Sequence, residues 1–96
     1  MAGLTGRAVR AVVRGRVQGV GFRWFIRERA RSLEVAGWVR NLREGDVEFV
    51  ARGNPEAVER LLAAAREGPA RSAVAAVDTS DPDPGAEFPS PFTILH

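Results

Sequence analysis

The sequence predicts an α+β fold: a ferredoxin-like split βαβ plan, with an antiparallel sheet and two helices packed on one of its faces. Three observations lead there. Residues 7–14, 37–42, 47–52 and 72–79 are short stretches rich in Val and Ala, most of them alternating in polarity. Residues 22–33 and 54–67 carry apolar side chains at helical spacing instead. In chain order these read β-α-β-β-α-β, closed by one more apolar stretch, and residues 1–96 are expected to form a single domain.

In the first strand Val9, Ala11 and Val13 share one face, with Arg10, Val12 and Arg14 on the other. A glycine-rich turn follows, then a helix whose buried stripe is Phe22, Phe25, Ile26, Ala30 and Leu33, opposite Arg27, Glu28 and Arg31. This helix should stop near Ser32–Glu34. Gly37 comes too late to supply a left-handed cap, so Glu34 is expected at positive φ. Gly37–Leu42 and Val47–Arg52 are two strands of an antiparallel hairpin turning at Arg43–Asp46. The third strand sets Val47, Phe49 and Ala51 against Glu48, Val50 and Arg52. The second helix starts at Asn54-Pro55-Glu56: an N-cap, a proline at the first helical position and an acid at the positive end of the dipole. It buries Val58, Leu61, Leu62 and Ala65 and ends at Gly68-Pro69. Residues 72–79 form a weaker fourth strand, 80–91 an irregular proline-rich surface loop, and 92–96 a short closing edge strand.

Composition excludes several kinds of chemistry. The chain has no Cys, Tyr or Lys, so it offers no disulfide, thiolate nucleophile or Schiff-base amine. Its one His is His96, the final residue, expected to fray rather than to act. No carboxylate pair or His cluster suggests a metal, and no cofactor is expected. There is no export signal and no apolar run of membrane-spanning length, so a cytoplasmic location and no membrane partner are expected. The net charge of +2 divides unevenly: ten Arg against two acids in residues 1–43, four Arg against ten acids in 44–96. A basic half attracts nucleic acid or small anions. Sheets of this plan that bind RNA do so through aromatic residues on their open face. Here the expected open face of the first and third strands shows Arg10, Val12, Arg14, Glu48, Val50 and Arg52, with no aromatic, so no nucleic-acid partner is expected.

The glycine turn is the chemically richest stretch. Gly15, Gly19 and Gly21 permit positive φ angles and close approach to a ligand. Successive N–H groups at a helix N-terminus form a concavity for an anion, and Arg23, in the first helical turn, brings a fork that matches phosphate oxygens. The spacing is neither the dinucleotide fingerprint nor a P-loop. Taken as glycines alone, the turn serves equally as a tight connection.

The whole string is more specific. Val13-Arg14-Gly15-Arg16-Val17-Gln18-Gly19-Val20-Gly21-Phe22-Arg23 resembles the first signature of the acylphosphatase family. Gly37-Trp38-Val39-Arg40-Asn41, then Gly45-Asp46-Val47, then Gly53, is similar to its second. The resemblance implies a hydrolase that cleaves a carboxyl-phosphate anhydride to a carboxylate and inorganic phosphate, with the same fold plan. It implies Arg23 as the phosphate-binding arginine and Asn41 as the residue that positions the attacking water. It also implies that the backbone N–H groups of Arg16, Val17, Gln18, Gly19, Val20 and Gly21 hold the phosphoryl oxygens. The residue inventory suits such a reaction, because a carboxylate leaves without a general acid and phosphoryl transfer asks mainly for positioning and charge stabilisation. The expected partner is a small acyl phosphate, carbamoyl phosphate included, and the expected state a monomer. No residue evidently builds a pocket for the acyl group.

Overall fold

The computed structural model describes residues 6–96. In chain order the elements are β1 (Arg7–Arg16), α1 (Phe22–Ser32), β2 (Ala36–Asn41), β3 (Val47–Gly53), α2 (Pro55–Glu67), β4 (Ala73–Ser80) and β5 (Thr93–Ile94). The sheet order is β4-β1-β3-β2-β5. β1 pairs antiparallel with β3 and β4, β2 pairs antiparallel with β3, and β5 pairs parallel with β2. The expected antiparallel plan is therefore extended at one edge by a short parallel strand, which makes the sheet mixed. The parallel sense follows from the chain's route. β4 ends beside Arg10, near the start of β1, and the segment that follows crosses to the opposite edge at that same end.

Both helices cover one face. Val9, Ala11, Val13, Val39, Val47 and Phe49 from the strands meet Phe22, Ile26, Val58, Leu61 and Leu62 from the helices in one core. Each such side chain withdrawn from water contributes roughly 1.5–3 kcal/mol, which is what holds the helices to the sheet. The helix ends are set by the residues expected to set them. Asn54 Oδ1 accepts the Glu56 N–H at 2.9 Å, Pro55 opens α2, and Gly68 closes it at φ 71°. α1 ends without a glycine, so Glu34 takes φ 57° while its N–H donates to the Arg31 carbonyl.

The opposite face is not open. The loop after β4 partly covers it: Asp83, Gly85 and Ala86 border one cavity with Arg10, Trp38, Glu48 and Val50. Val12, Glu48 and Val50 are buried, and the Arg52 guanidinium lies 4.6 Å from the centre of the Phe88 ring. Strand alternation marks Arg10 and Glu48 as solvent-facing because they are charged. Their charges instead neutralise one another: Arg10 and Arg40 donate to the two Glu48 carboxylate oxygens at 2.6 and 2.7 Å. Among the described residues no helix is long and apolar enough to cross a membrane.

Candidate active site

β1 and β2 both run antiparallel to β3, and β5 runs parallel to β2, so these three strands share a direction. Their C-terminal ends lie along one edge of the sheet, where the chain leaving β1 turns into the N-terminus of α1. A cavity of about 170 Å³ sits at that junction. Val17, Gly19 and Gly21 of the turn, Arg23 of α1 and Asn41 at the end of β2 all line it. Its volume suits a small anion better than an extended ligand. The two residues singled out as a phosphate clamp and a water-positioning amide, 18 positions apart in sequence, thus border one space.

The turn is shaped by its glycines. Gly19 and Gly21 stand at φ 75° and 77°, left-handed geometry that side chains resist. Gly21 is the N-cap of α1, contributes no side-chain cap, and no acid occupies the first turn. The opening N–H groups of a helix lack intrahelical partners, and they concentrate partial positive charge. Among the described residues the N–H groups of residues 18–21 also donate to no protein acceptor. Arg23 adds a full positive charge at the same end, a placement that opposes the helix dipole in the absence of an anion. Among the described residues it has no ion-pair or hydrogen-bond partner, whereas Arg7, Arg10, Arg14, Arg27 and Arg40 all have one.

The other turn residues play distinct parts. Arg16 is the last residue of β1, opposite Ala73, and Val20 packs against the core. Gly15 belongs to a bulge in β1 at φ 123°, where a Cβ would run into the Ala73 carbonyl of β4. The Gln18 side chain turns toward the β2–β3 hairpin and donates to the carbonyls of Leu42 and Asp46. From its other side the hairpin is held by Arg14, which donates to the Asp46 carboxylate at 2.7 Å.

A family model described as acylphosphatase matches residues 9–94. The chain belongs to the acylphosphatase family. It is 48% identical over 84 residues to an acylphosphatase of Salinibacter ruber, 88% of each chain being covered. It is 50% identical over 80 residues to an acylphosphatase of Thermococcus kodakarensis, covering 81% of this chain and 88% of the relative. The solved structure of an acylphosphatase from Coxiella burnetii superposes with a TM-score of 0.85 at 37% identity, over 94% of this chain and 93% of the other.

For an acylphosphatase family member, the chemistry the cavity can perform is set by what borders it. Arg23 and the uncapped N–H groups can neutralise phosphoryl oxygens, and the Asn41 carboxamide can both donate to and accept from a water. Among the described residues no Asp or Glu side chain lines the cavity, and Glu44 is exposed on the hairpin turn. Among the described residues no group of three His, Asp or Glu side chains stands close enough to hold a metal ion. Four further residues line the cavity that the sequence did not single out for it: Phe22, Trp24, Ile94 and His96. His96 was expected to fray. It reaches the site because β5 runs parallel to β2 and delivers its C-terminal end to the same edge, a consequence of topology that no local pattern announces.

Proposed function

We propose that this member of the acylphosphatase family hydrolyses the carboxyl-phosphate bond of small acyl phosphates, with Arg23 and the N–H groups of residues 16–21 holding the phosphoryl oxygens and Asn41 positioning the attacking water. The observation that carries this reading is an arginine with no partner among the described residues, at an uncapped helix N-terminus, sharing a cavity with an exposed asparagine. The water oxygen attacks phosphorus. The bond from phosphorus to the acyl oxygen breaks, and the carboxylate departs with the electron pair. A phosphoryl oxygen of the substrate takes the water's proton; among the described residues no Asp or Glu side chain lines the cavity, and its one imidazole is that of the terminal His96. The protein supplies position and charge rather than a nucleophile. With this goes a one-domain monomer acting in the cytoplasm on a small molecule.

The test is the rate of benzoyl phosphate disappearance with purified protein, in EDTA, beside Arg23→Ala and Asn41→Ala. Hydrolysis by the wild type that is lost with Arg23→Ala and reduced in kcat with Asn41→Ala supports both roles. A folded wild type that leaves every acyl phosphate intact overturns the reading. If His96→Ala or Glu44→Gln were as damaging as Asn41→Ala, the assignment of the proton to the substrate would be wrong.

A further inference from the structure

Trp24 is 58% exposed, the most exposed large apolar side chain among the described residues. An indole is normally among the most heavily used pieces of buried surface in a small domain. The buried face of α1 consists of Phe22, Ile26 and Ala30, with Phe25 and Leu33 packed beside them, and Trp24 lies off that stripe. The other tryptophan, Trp38, is covered by the Arg40 guanidinium 5.0 Å from its ring centre. Among the described residues no cation lies over Trp24. What Trp24 does border is the cavity that also holds Arg23 and Asn41, together with half-buried Ile94.

An acyl phosphate joins phosphorus to the acyl carbon through a single oxygen. With the phosphoryl group on Arg23 and the turn, the acyl substituent projects out of the cradle. The apolar surface beside it comes from the residue next to Arg23 in the chain and from β5. We infer that Trp24, with Ile94, forms an apolar wall for the acyl group, and that the enzyme favours acyl phosphates with an aromatic or extended apolar acyl group over acetyl or carbamoyl phosphate. This rests on the hydrolytic reading above and adds a specificity-determining residue to it. Trp24 touches none of the reacting atoms. Because it lies outside the core, truncating it leaves the fold standing.

The experiment compares kcat/KM for benzoyl, acetyl and carbamoyl phosphate in the wild type, Trp24→Ala and Trp24→Phe. Beside it runs calorimetric binding of phenylphosphonate and methylphosphonate, which are not turned over. The wild type should prefer benzoyl phosphate and phenylphosphonate. Trp24→Ala should lower kcat/KM for benzoyl phosphate roughly tenfold or more, with acetyl and carbamoyl phosphate changed by less than about twofold. Trp24→Phe should recover most of the loss. Equal losses for all three substrates, or no loss for benzoyl phosphate, overturn the wall. If no acyl phosphate is hydrolysed but phenylphosphonate binds more tightly through Trp24, the wall stands and the hydrolytic reading falls. If the two phosphonates bind the wild type equally, the wall falls whatever the turnover.

Discussion

Gln18 Nε2 donates to the Leu42 carbonyl at 2.8 Å and, from the same nitrogen, to the Asp46 carbonyl at 2.9 Å. One carboxamide therefore ties the glycine turn to the hairpin turn that begins directly after Asn41. The proposed phosphate cradle and the proposed water-positioning Asn41 sit on separate elements, and this bond ties the cradle to the turn next to Asn41. Gln18→Ala should cost about 1–2 kcal/mol of stability, since two part-buried carbonyls lose their donor. It should lower kcat by roughly a hundredfold if the amide drifts by about an ångström, with inhibition by inorganic phosphate changed far less. Gln18→Glu keeps the shape and removes the donor, so it should behave like the alanine variant in denaturant melts and steady-state kinetics.

Among the described residues Arg23 has no ion-pair or hydrogen-bond partner, so substitution disturbs little besides the cavity. Arg23→Lys retains the charge and loses the planar fork. It should weaken inhibition by phosphate and lower kcat/KM for benzoyl phosphate roughly a hundredfold, against a thousandfold or more for Arg23→Ala. Thermal melts of both variants should match the wild type. An Arg23→Lys enzyme with wild-type kcat/KM would show that charge alone suffices.

Much of this arrangement was legible in the sequence because it depends on local rules. The Asn54-Pro55 start, the Gly68 stop and the left-handed Glu34 are each set by one or two residues, and each stands as expected. The apolar faces of β1 and β3 follow from alternation, and the placement of Arg23 after the glycine turn follows from helix phase. What was not legible depends on register and direction. β1 continues to Arg16, beyond the expected end, because a bulge between Arg14 and Gly15 lets it keep pairing with β4. The face carrying Arg10, Glu48 and Val50 was expected to be open. Its closure requires knowing that Val12 stands opposite Glu48 and that Arg40 reaches the same carboxylate. Trp24 read as part of a helix, with no sign that it borders the cavity, because the facing element is β5 and only its parallel pairing brings it there.

Glu48 ties acid stability to that covered face. Burial pushes its carboxyl pKa up, but the hydrogen bonds and charges of Arg10 and Arg40 outweigh this and leave it below the ordinary value of 4.5. A carboxylate whose folded pKa is depressed stabilises the protein above its unfolded pKa, and that contribution is lost as pH falls through the folded value. The wild type should therefore lose stability as pH drops below about 4.5, with Glu48 contributing to the slope. Glu48→Gln should cost about 2 kcal/mol at neutral pH and flatten the pH dependence in that acid window. Denaturant melts from neutral to acid pH check it. An unchanged slope would show that the ion triad does not couple to folding.

Gly37 and Gly19 both have positive φ, yet their substitutions should fail differently. At Gly37, φ is 143°, and a Cβ would overlap the Val50 carbonyl oxygen on the paired strand. Val50 stands in the β2–β3 ladder opposite Trp38, so it can move only by breaking strand pairing. Gly37→Ala should lose more than about 3 kcal/mol, or fail to fold at all. At Gly19 a Cβ would meet nothing within 4 Å, so only the φ of 75° resists it. Gly19→Ala should fold with a loss of about 1 kcal/mol. Its cost should appear in catalysis, because relaxing that φ turns the neighbouring N–H groups away from the proposed phosphoryl position while Arg23 stays in place. Paired melts and kcat/KM measurements separate the two. A Gly19→Ala protein with full activity would mean that the turn's backbone donors contribute nothing beyond what Arg23 supplies.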